Sequence, residues 1–212
     1  MYNLPHFKEK DDEIIQEFID QHPFALLTGC DLENKPIATQ VPILQEEKKG
    51  RKILIGHIMR KTDHHKAFLQ NDNVRVVFTG GHSYVSATWY KNKRQASTWN
   101  YMSVHAKGTI QFLDKTALAE ILQKTTLYFE DYNKDSPTIF DNLPSRYKQK
   151  AMKAIVAFEI EVAEIENVFK LSQNKDAETY QNIIRELRKG GNQGQVIADE
   201  MEKKTDEVFP NE

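Results

Sequence analysis

Apolar positions along the chain repeat with two different periods, and the change of period separates predicted helices from predicted strands. The apolar stripe over Ile14–Ile19 follows Asp11 and Asp12, and it predicts a short amphipathic helix that ends before Pro23. Over Val156–Ala163, apolar and other residues alternate, which predicts a half-buried strand and is the clearest period-two signal in the chain.

Further runs of apolar and β-branched residues predict strands between charged or glycine-containing turns. Six strands are predicted in all: Phe24–Thr28, Pro36–Leu44, Lys52–His57, Val74–Thr79 (ended by Gly80-Gly81), Ala106–Phe112 and Val156–Ala163. The remaining helices are predicted at Lys61–Gln70, from Asp114 onward, at Arg146–Met152, at Ala177–Lys189 and at Gln195–Lys204. Because helices do not alternate with strands, this order favours an antiparallel barrel decorated by helices, an α+β fold.

Two prolines, Pro36 and Pro42, lie in the second predicted strand. Each removes a backbone donor from a hydrogen-bond ladder, so such a strand is expected at a sheet edge or at a bulge. A strand interrupted in this way also leaves backbone groups free for a ligand.

Composition limits the classes of function. A chain of 212 residues fits one medium domain or a domain plus an appendage, and no separate second domain is required. The net charge of −2 gives no general attraction to nucleic acid or membrane. The basic runs at 91–94 and 146–153 are interpreted as solvated faces. Cys30 is the single cysteine, and no signal or membrane segment is evident, so we expect a soluble cytoplasmic protein.

The segment Gly56–Thr62 is a candidate anion site, because it follows a strand and opens onto a helix. Arg60 and Lys61 supply adjacent cations, and Thr62 supplies a hydroxyl near free backbone amides. These groups suit a phosphate, through charge-assisted hydrogen bonds and the helix dipole.

The segment Thr98–Gly108 gathers an indole, an amide, a phenol and an imidazole within a few positions. Such side chains suit a flat aromatic ligand with polar edges. A barrel corner that packs on its own core is the alternative interpretation.

Other chemistry has weaker signals. His64 and His65 are adjacent, and on a helix their side chains diverge by about 100°, so no metal site is expected. The sequence contains no nucleophile elbow, Walker or dinucleotide-binding fingerprint, which argues against hydrolase, P-loop and dinucleotide-fold functions.

Taken in order, several segments resemble the PaiB-like proteins, a family of FMN-binding split-barrel proteins described as negative regulators of protease production and sporulation. The resemblance covers nearly the whole chain and rests on Lys35–Pro42, Gly56–Arg60, Ser83–Ser86 with Trp89-Tyr90, Thr98–Tyr101, Val104-His105 with Gly108, and Lys170–Asn174. The chain departs from the family's Arg-Ala-Asn-Pro-like run at Arg60–His65, where Asp63 brings a carboxylate near the phosphate position.

The resemblance implies a six-stranded antiparallel Greek-key split barrel with flanking helices, a homodimer and FMN as the cofactor. It implies a barrel domain over residues 1–170 and a helical extension over 171–212 packed on the barrel. Arg60, Lys61 and Thr62 are expected to hold the FMN phosphate, and the Ile37–Val41 strand to lie along the isoalloxazine. The full set of expected cofactor-binding residues is Ala38, Thr39, Gln40, Val41, His57, Arg60, Lys61, Thr62, Trp99 and Asn100, the last two from the partner subunit.

Three functions stay open at this point. The first is a flavin-responsive negative regulator of transcription, for which direct sequence-specific DNA contact by this chain alone is not expected. The second is an FMN-dependent oxidoreductase with an unknown small-molecule substrate and no assigned catalytic residue. The third is a haem-binding or ligand-free split barrel.

Overall fold

The computed structural model of the chain describes residues 1–210. The strands of this part are β1 Phe24–Cys30, β2 Pro36–Lys48, β3 Arg51–Met59, β4 Asn73–Val85, β5 Thr98–Phe112 and β6 Ile155–Lys170. The α-helices are α1 Asp12–Gln21, α2 Asp63–Gln70, α3 Lys115–Phe129, α4 Ser145–Ala154, α5 Ala177–Arg188, α6 Asn192–Lys203 and α7 Thr205–Val208. Short 3-10 helices lie at Pro5–Phe7, Ala87–Trp89 and Phe140–Asn142.

The six strands close into a barrel in the order β1-β2-β3-β6-β5-β4, which confirms the predicted α+β barrel. The β1–β2 hairpin is closed by Asp31, whose carboxylate accepts from the amides of Glu33 and Lys35 at 2.8 and 2.9 Å. In the β2–β3 turn, Lys49 and Gly50 have φ values of 54° and 74°. Two left-handed residues in succession give a two-residue hairpin turn the same twist as its flanking strands.

Several strands are longer than their sequence signals predicted. β5 begins at Thr98 rather than Ala106, so the polar aromatic cluster lies in a strand, and β6 continues to Lys170. β4 runs through Gly80-Gly81, which does not end it. At Gly81 a Cβ would lie 2.7 Å from Val196 Cγ1, so this glycine permits close packing rather than a turn. Ladder pairing and burial therefore override the local breaker signal.

The predicted edge character of β2 is correct for one half of the strand only. β2 has neighbours on both sides in the barrel, β1 and β3. Its pairs with β1 run from Pro36 to Pro42, and its pairs with β3 run from Ile43 to Lys48. The half of β2 that carries the prolines is thus paired on the β1 side, and pairing passes to β3 immediately after Pro42.

Two compact units divide the chain. The first comprises residues 1–18, 79–104 and the chain from Glu166 onward, and the second comprises residues 19–78 and 105–165. In the first unit, Glu9 and Lys204 form a nearly buried ion pair at 2.5 Å, and the Tyr180 hydroxyl donates to the Met201 carbonyl oxygen at 2.8 Å. The predicted boundary between residues 170 and 171 stays a prediction.

One apolar cluster of the second unit is formed by β3, α3, α4, β6 and the 3-10 helix Phe140–Asn142. Its members are Ile53, Ile55, Leu118, Ile121, Leu122, Phe140, Met152 and Ala157. Near this core, β5 and β6 approach so closely that a Cβ on Gly108 would lie 2.1 Å from the Glu161 carbonyl oxygen. Across residues 1–210, no helix combines the length and the apolar character needed to cross a membrane.

Candidate functional site

The strands β2 and β3 stop pairing at a defined point, and this point creates the candidate site. Their pairing register ends with Ile43 opposite Gly56. One step further, Pro42 would face His57, and proline has no N–H to donate. Beyond this point β2 does not pair with β3, while the chain of β3 continues to Met59 and into the predicted phosphate loop. Helix α2, which begins directly after that loop, contacts β2, so the predicted ring-binding strand and the predicted phosphate loop belong to the same part of the second unit.

The segment Ala38–Val41 presents backbone rather than a packed apolar face. Ala38 and Gln40 are exposed and Thr39 is half-buried, while Val41 is buried. On the other edge these residues pair with β1, from Thr28 opposite Ala38 to Ala25 opposite Val41. Since the ladder with β3 begins only at Ile43, the groups on that edge are available to a ligand with donors and acceptors along its rim.

His57 lies where the ladder ends and carries an unsatisfied polar atom. Its Nδ1 is buried and makes no hydrogen bond within residues 1–210. Burial lowers the pKa of His57 below its ordinary value of 6.5, so the imidazole is neutral at neutral pH. An unpartnered buried nitrogen costs about 1–3 kcal/mol, so a group that bonded to Nδ1 would recover this cost.

The junction Arg60–Thr62 joins β3 to α2, and its backbone is firmly anchored. The Arg60 amide donates to the Ala154 carbonyl oxygen at 2.8 Å, and the Arg60 Nε donates to the Ile155 carbonyl oxygen at 2.8 Å. The Thr62 side chain caps α2 by accepting from the His65 amide at 3.3 Å, and it donates to the Met59 carbonyl oxygen at 3.0 Å. The guanidinium and the hydroxyl are therefore held in fixed positions.

Lys61 adopts a left-handed conformation with φ 67°, which is unfavourable for a residue with a Cβ. Its backbone amide donates to the imidazole Nδ1 of His65 at 3.1 Å. His65 is buried and packs edge-on against Phe112 with ring centroids 4.8 Å apart. Burial, followed by the charges of Arg60 and His64, lowers the pKa of His65, so its Nδ1 stays free to accept.

The cations of the junction keep their outer atoms unpaired. Within residues 1–210, the Nη groups of Arg60 and the Nζ of Lys61 make no hydrogen bond or ion pair. The opposing carboxylate of Asp63 is engaged locally, because it accepts from the His64 amide at 2.8 Å and faces His64 Nδ1 at 3.1 Å. These contacts, the backbone bond first, lower the pKa of Asp63. The junction thus offers two cations against one carboxylate.

Trp99 and Asn100 belong to the first unit and have opposite environments. Trp99 is 53% exposed and lies in an aromatic patch with Tyr84 and His82, at centroid distances of 6.0 and 6.2 Å. Asn100 is fully buried, accepts from the Ser172 hydroxyl at 3.0 Å and donates to Met201 Sδ at 3.5 Å. The contacts of Asn100 are internal, and its predicted place at the cofactor stays a prediction.

Some residues that shape the site are not predicted by the sequence patterns. The pair His64-His65 suggests at most a metal ligand, although His65 lies four residues after Lys61, the spacing at which one helical turn brings a side chain back to the junction. The anchoring carbonyl oxygens of Ala154 and Ile155 have no sequence signal, because any residue supplies a carbonyl. In the described part of the chain, no group of three or more His, Cys, Asp or Glu side chains is arranged to hold a metal ion.

The closed six-stranded barrel with flanking helices places the protein in the class of split-barrel proteins. A family described as "Putative FMN-binding domain" matches residues 1–164. "Protease synthase and sporulation protein PAI 2" of Bacillus subtilis strain 168 is 33% identical over 207 residues, which cover 96% of this chain and 98% of that protein. The chain therefore belongs to the PaiB-like FMN-binding family, whose cofactor is FMN.

Solved structures support the same architecture. The FAD and heme binding protein from Mycobacterium smegmatis has a TM-score of 0.58 at 17% identity, covering 86% of this chain and 80% of that one. The flavocytochrome Anf3 from Azotobacter vinelandii has a TM-score of 0.57 at 19% identity, covering 82% of this chain and 74% of that one. At these identities the likeness shows the shared fold.

Proposed function

We propose that the second unit holds FMN with its phosphate on the Arg60–Thr62 junction and its ring system along Ala38–Val41. The observation that carries this proposal is the anchored junction, whose cationic atoms are unpaired and which leads directly into α2, a helix that contacts β2. A phosphate there would accept charge-assisted hydrogen bonds from Arg60 and Lys61 without any side chain having to break an existing ion pair. The Thr62 hydroxyl caps the helix that begins at this point.

The residues present fit a flavin in two further respects. The pyrimidine rim of an isoalloxazine carries donors and acceptors, and the backbone of Ala38–Val41 offers both on its β3-facing edge. His57 has a buried Nδ1 in need of a partner at the same end of the ladder. When bound, FMN supplies hydride and electron-transfer chemistry. The chain's own groups bind the phosphate, orient the ring and keep His57 neutral.

The proposed phosphate contact can be tested with two flavins that differ only in the phosphate. FMN and riboflavin are titrated into the apoprotein, and flavin fluorescence gives the two dissociation constants. Arg60→Ala is expected to weaken FMN binding about 10- to 100-fold, the value of one charge-assisted hydrogen bond, while riboflavin affinity stays unchanged. Arg146→Ala, which removes an exposed cation on α4, is the matched control and is expected to change neither constant.

Two results would contradict the assignment. An Arg60→Ala variant with the parent's FMN affinity removes Arg60 from the phosphate site. Equal losses for FMN and riboflavin place Arg60 at the ring or in the fold instead. Circular dichroism of each variant separates the second outcome from unfolding.

We also infer that this protein acts in regulation, the role that the resemblance to the PaiB-like proteins implies, through the state of its flavin rather than through direct DNA contact. The net charge of −2 supports this view, because few DNA phosphates could be neutralised at once. Anisotropy with candidate promoter DNA at about 150 mM salt is expected to show only weak, sequence-indifferent binding. Nanomolar binding with a steep salt slope would overturn the indirect mechanism.

An FMN-dependent oxidoreductase is the second candidate function, and the fold-level neighbours that carry flavin favour testing it. Anaerobic addition of NADH or NADPH to the purified protein distinguishes the two, because bleaching of the flavin bands supports an enzyme. The same visible spectrum tests the haem alternative, for which a Soret band is the signature.

We propose a homodimer, supported by exposed apolar residues on the outer face of the barrel. Phe24 is 62% exposed and Leu26 is 37% exposed, and in the β1–β2 register they lie beside Pro42 and Gln40. Apolar side chains grouped on one sheet face favour burial against a second copy. We further propose a cytoplasmic location, which the single cysteine, Cys30, supports.

A further inference from the structure

A groove of about 490 Å³ lies between α3 and α4 in the second unit, on elements that the flavin proposal does not use. Its floor is apolar. Phe140 and Met152 are each 9% exposed and belong to the core cluster, and Ala119 packs against the same cluster. The groove is open to solvent, so a ligand would lie on its floor rather than inside an enclosed cavity.

The rim of the groove is positively charged. Lys148 lies with its ammonium 5.1 Å from the centroid of the Phe140 ring and donates to the Asp141 carbonyl oxygen at 3.1 Å. Lys115, the first residue of α3, also lines the groove. Within residues 1–210, neither lysine forms an ion pair with a carboxylate. Two lysines therefore line the groove, and neither has a carboxylate partner in the described part of the chain.

The nearest carboxylates in sequence are already engaged elsewhere. Asp114 caps α3 by accepting from the Ala117 amide at 2.9 Å, and Asp141 accepts from Gln123 Nε2 at 2.6 Å. No acidic residue lines the groove. The charge of the rim thus complements an anion, and the floor complements an apolar body.

We propose that this groove binds a small amphipathic carboxylate, with the carboxylate at Lys115 and Lys148 and the apolar body on Ala119, Phe140 and Met152. A carboxylate between two ammonium groups gains charge-assisted hydrogen bonds. The apolar body gains burial against a preformed floor. The site is separate from the residues proposed for FMN and does not depend on them.

A polyanion such as DNA would use a different set of residues. Arg146, Lys150 and Lys153 are exposed on α4 and do not line the groove. A nucleic acid would engage these cations and gain little from the apolar floor. Substitutions in the two groups of cations therefore distinguish binding of the proposed carboxylate from binding of a polyanion.

Isothermal titration of the full-length protein with decanoate tests the proposal, with decanol and decyltrimethylammonium as neutral and cationic counterparts. Saturable 1:1 binding of decanoate is expected, and both counterparts are expected to bind at least tenfold more weakly. Lys115→Gln combined with Lys148→Gln should weaken decanoate binding about tenfold or more. Thr116→Trp, which fills the groove from an exposed position of α3, should abolish it. Lys150→Gln combined with Lys153→Gln is the matched control and should leave it unchanged.

Several outcomes would overturn the proposal. These are no saturable binding by the parent protein, equal binding of decanoate and decanol, and loss of binding in the control pair alone. Competition of decanoate by short duplex DNA, or loss of binding on formation of a dimer seen by light scattering, would assign the groove to a polyanion or to a second copy. Circular dichroism confirms that each variant is folded.

Discussion

The hydroxyl of Ser172 donates a hydrogen bond to the side-chain oxygen of Asn100 at 3.0 Å, and both residues are buried in the first unit. Two residues earlier, Lys170 donates to the Thr98 hydroxyl at 2.5 Å. The last residue of β6 and the turn after it thus hold the residues on both sides of Trp99, whose own side chain stays exposed. This gives the Lys170–Asn174 segment a structural role that its sequence did not reveal.

Ser172 also has a left-handed backbone, with φ 64°. Two substitutions can therefore separate the effect of its hydroxyl hydrogen bond from the effect of its backbone conformation. Ser172→Ala leaves the Asn100 oxygen unpaired and is expected to lower the free energy of unfolding by about 1–3 kcal/mol. Ser172→Gly loses the same bond but accommodates the backbone, and should be about 0.5–1 kcal/mol less destabilised than the alanine variant. Urea denaturation of both variants measures the difference. A glycine variant no more stable than the alanine variant would contradict this account of the turn.

Stability should depend on pH through His57 and His65. Burial lowers the pKa of both below the ordinary 6.5, so between the lowered values and 6.5 the unfolded chain binds more protons than the folded protein. The free energy of unfolding is therefore expected to fall as the pH drops below about 6.5. Well above pH 6.5 both imidazoles are neutral in the folded and the unfolded chain, so they give the free energy of unfolding no pH dependence there.

Denaturation at about pH 7.5 and pH 5.5 measures this dependence. His65→Gln should reduce the loss of stability on acidification, and the double variant with His57→Gln should reduce it further. If the double variant loses as much stability as the parent over this interval, other groups control the response. Acid is also expected to weaken FMN binding, because a protonated His65 cannot accept from the Lys61 amide.

The sequence predicted the number and order of the strands because each buries a run of apolar residues, a property that needs no partner to be recognised. It did not predict where β4 and β6 end or where β5 begins, since those bounds depend on ladder partners far along the chain. The cations and the helix start predict a phosphate site at Arg60–Thr62, and that role stays a prediction. The contact of His65 with the Lys61 amide is not predicted, because an imidazole that accepts from a backbone amide looks the same in sequence as one that binds a metal.

Gly108 is expected to be among the least replaceable residues of the second unit. A Cβ at this position would lie 2.1 Å from the backbone oxygen of Glu161, and a backbone atom cannot move aside as a flexible side chain can. Gly108→Ala should cost about 1–3 kcal/mol or more, the range for an overpacked site. Gly191→Ala, where nothing lies within 4 Å of the added Cβ, is the control and should cost less than about 1 kcal/mol. Comparable losses in both variants would contradict the close approach of β5 and β6.

The proposed dimer predicts a specific response at Phe24. If a second copy covers the outer face of β1, Phe24→Glu places a charge in that interface and should convert the protein to a monomer in multi-angle light scattering. Leu32→Glu changes an equally exposed residue in the β1–β2 turn and is expected to leave the assembly intact. A parent protein that is monomeric while retaining flavin would refute the dimer as a condition for binding.

The end of the β2–β3 ladder at Pro42 bears on how the cofactor enters. The interruption is built into the covalent chain, since an imino acid lacks the hydrogen that the next rung would need. The pairing of β2 with β3 does not have to break before a flavin binds there, and it does not have to re-form after the flavin leaves. At the proposed site, loading and exchange of FMN therefore require no partial unfolding of the barrel.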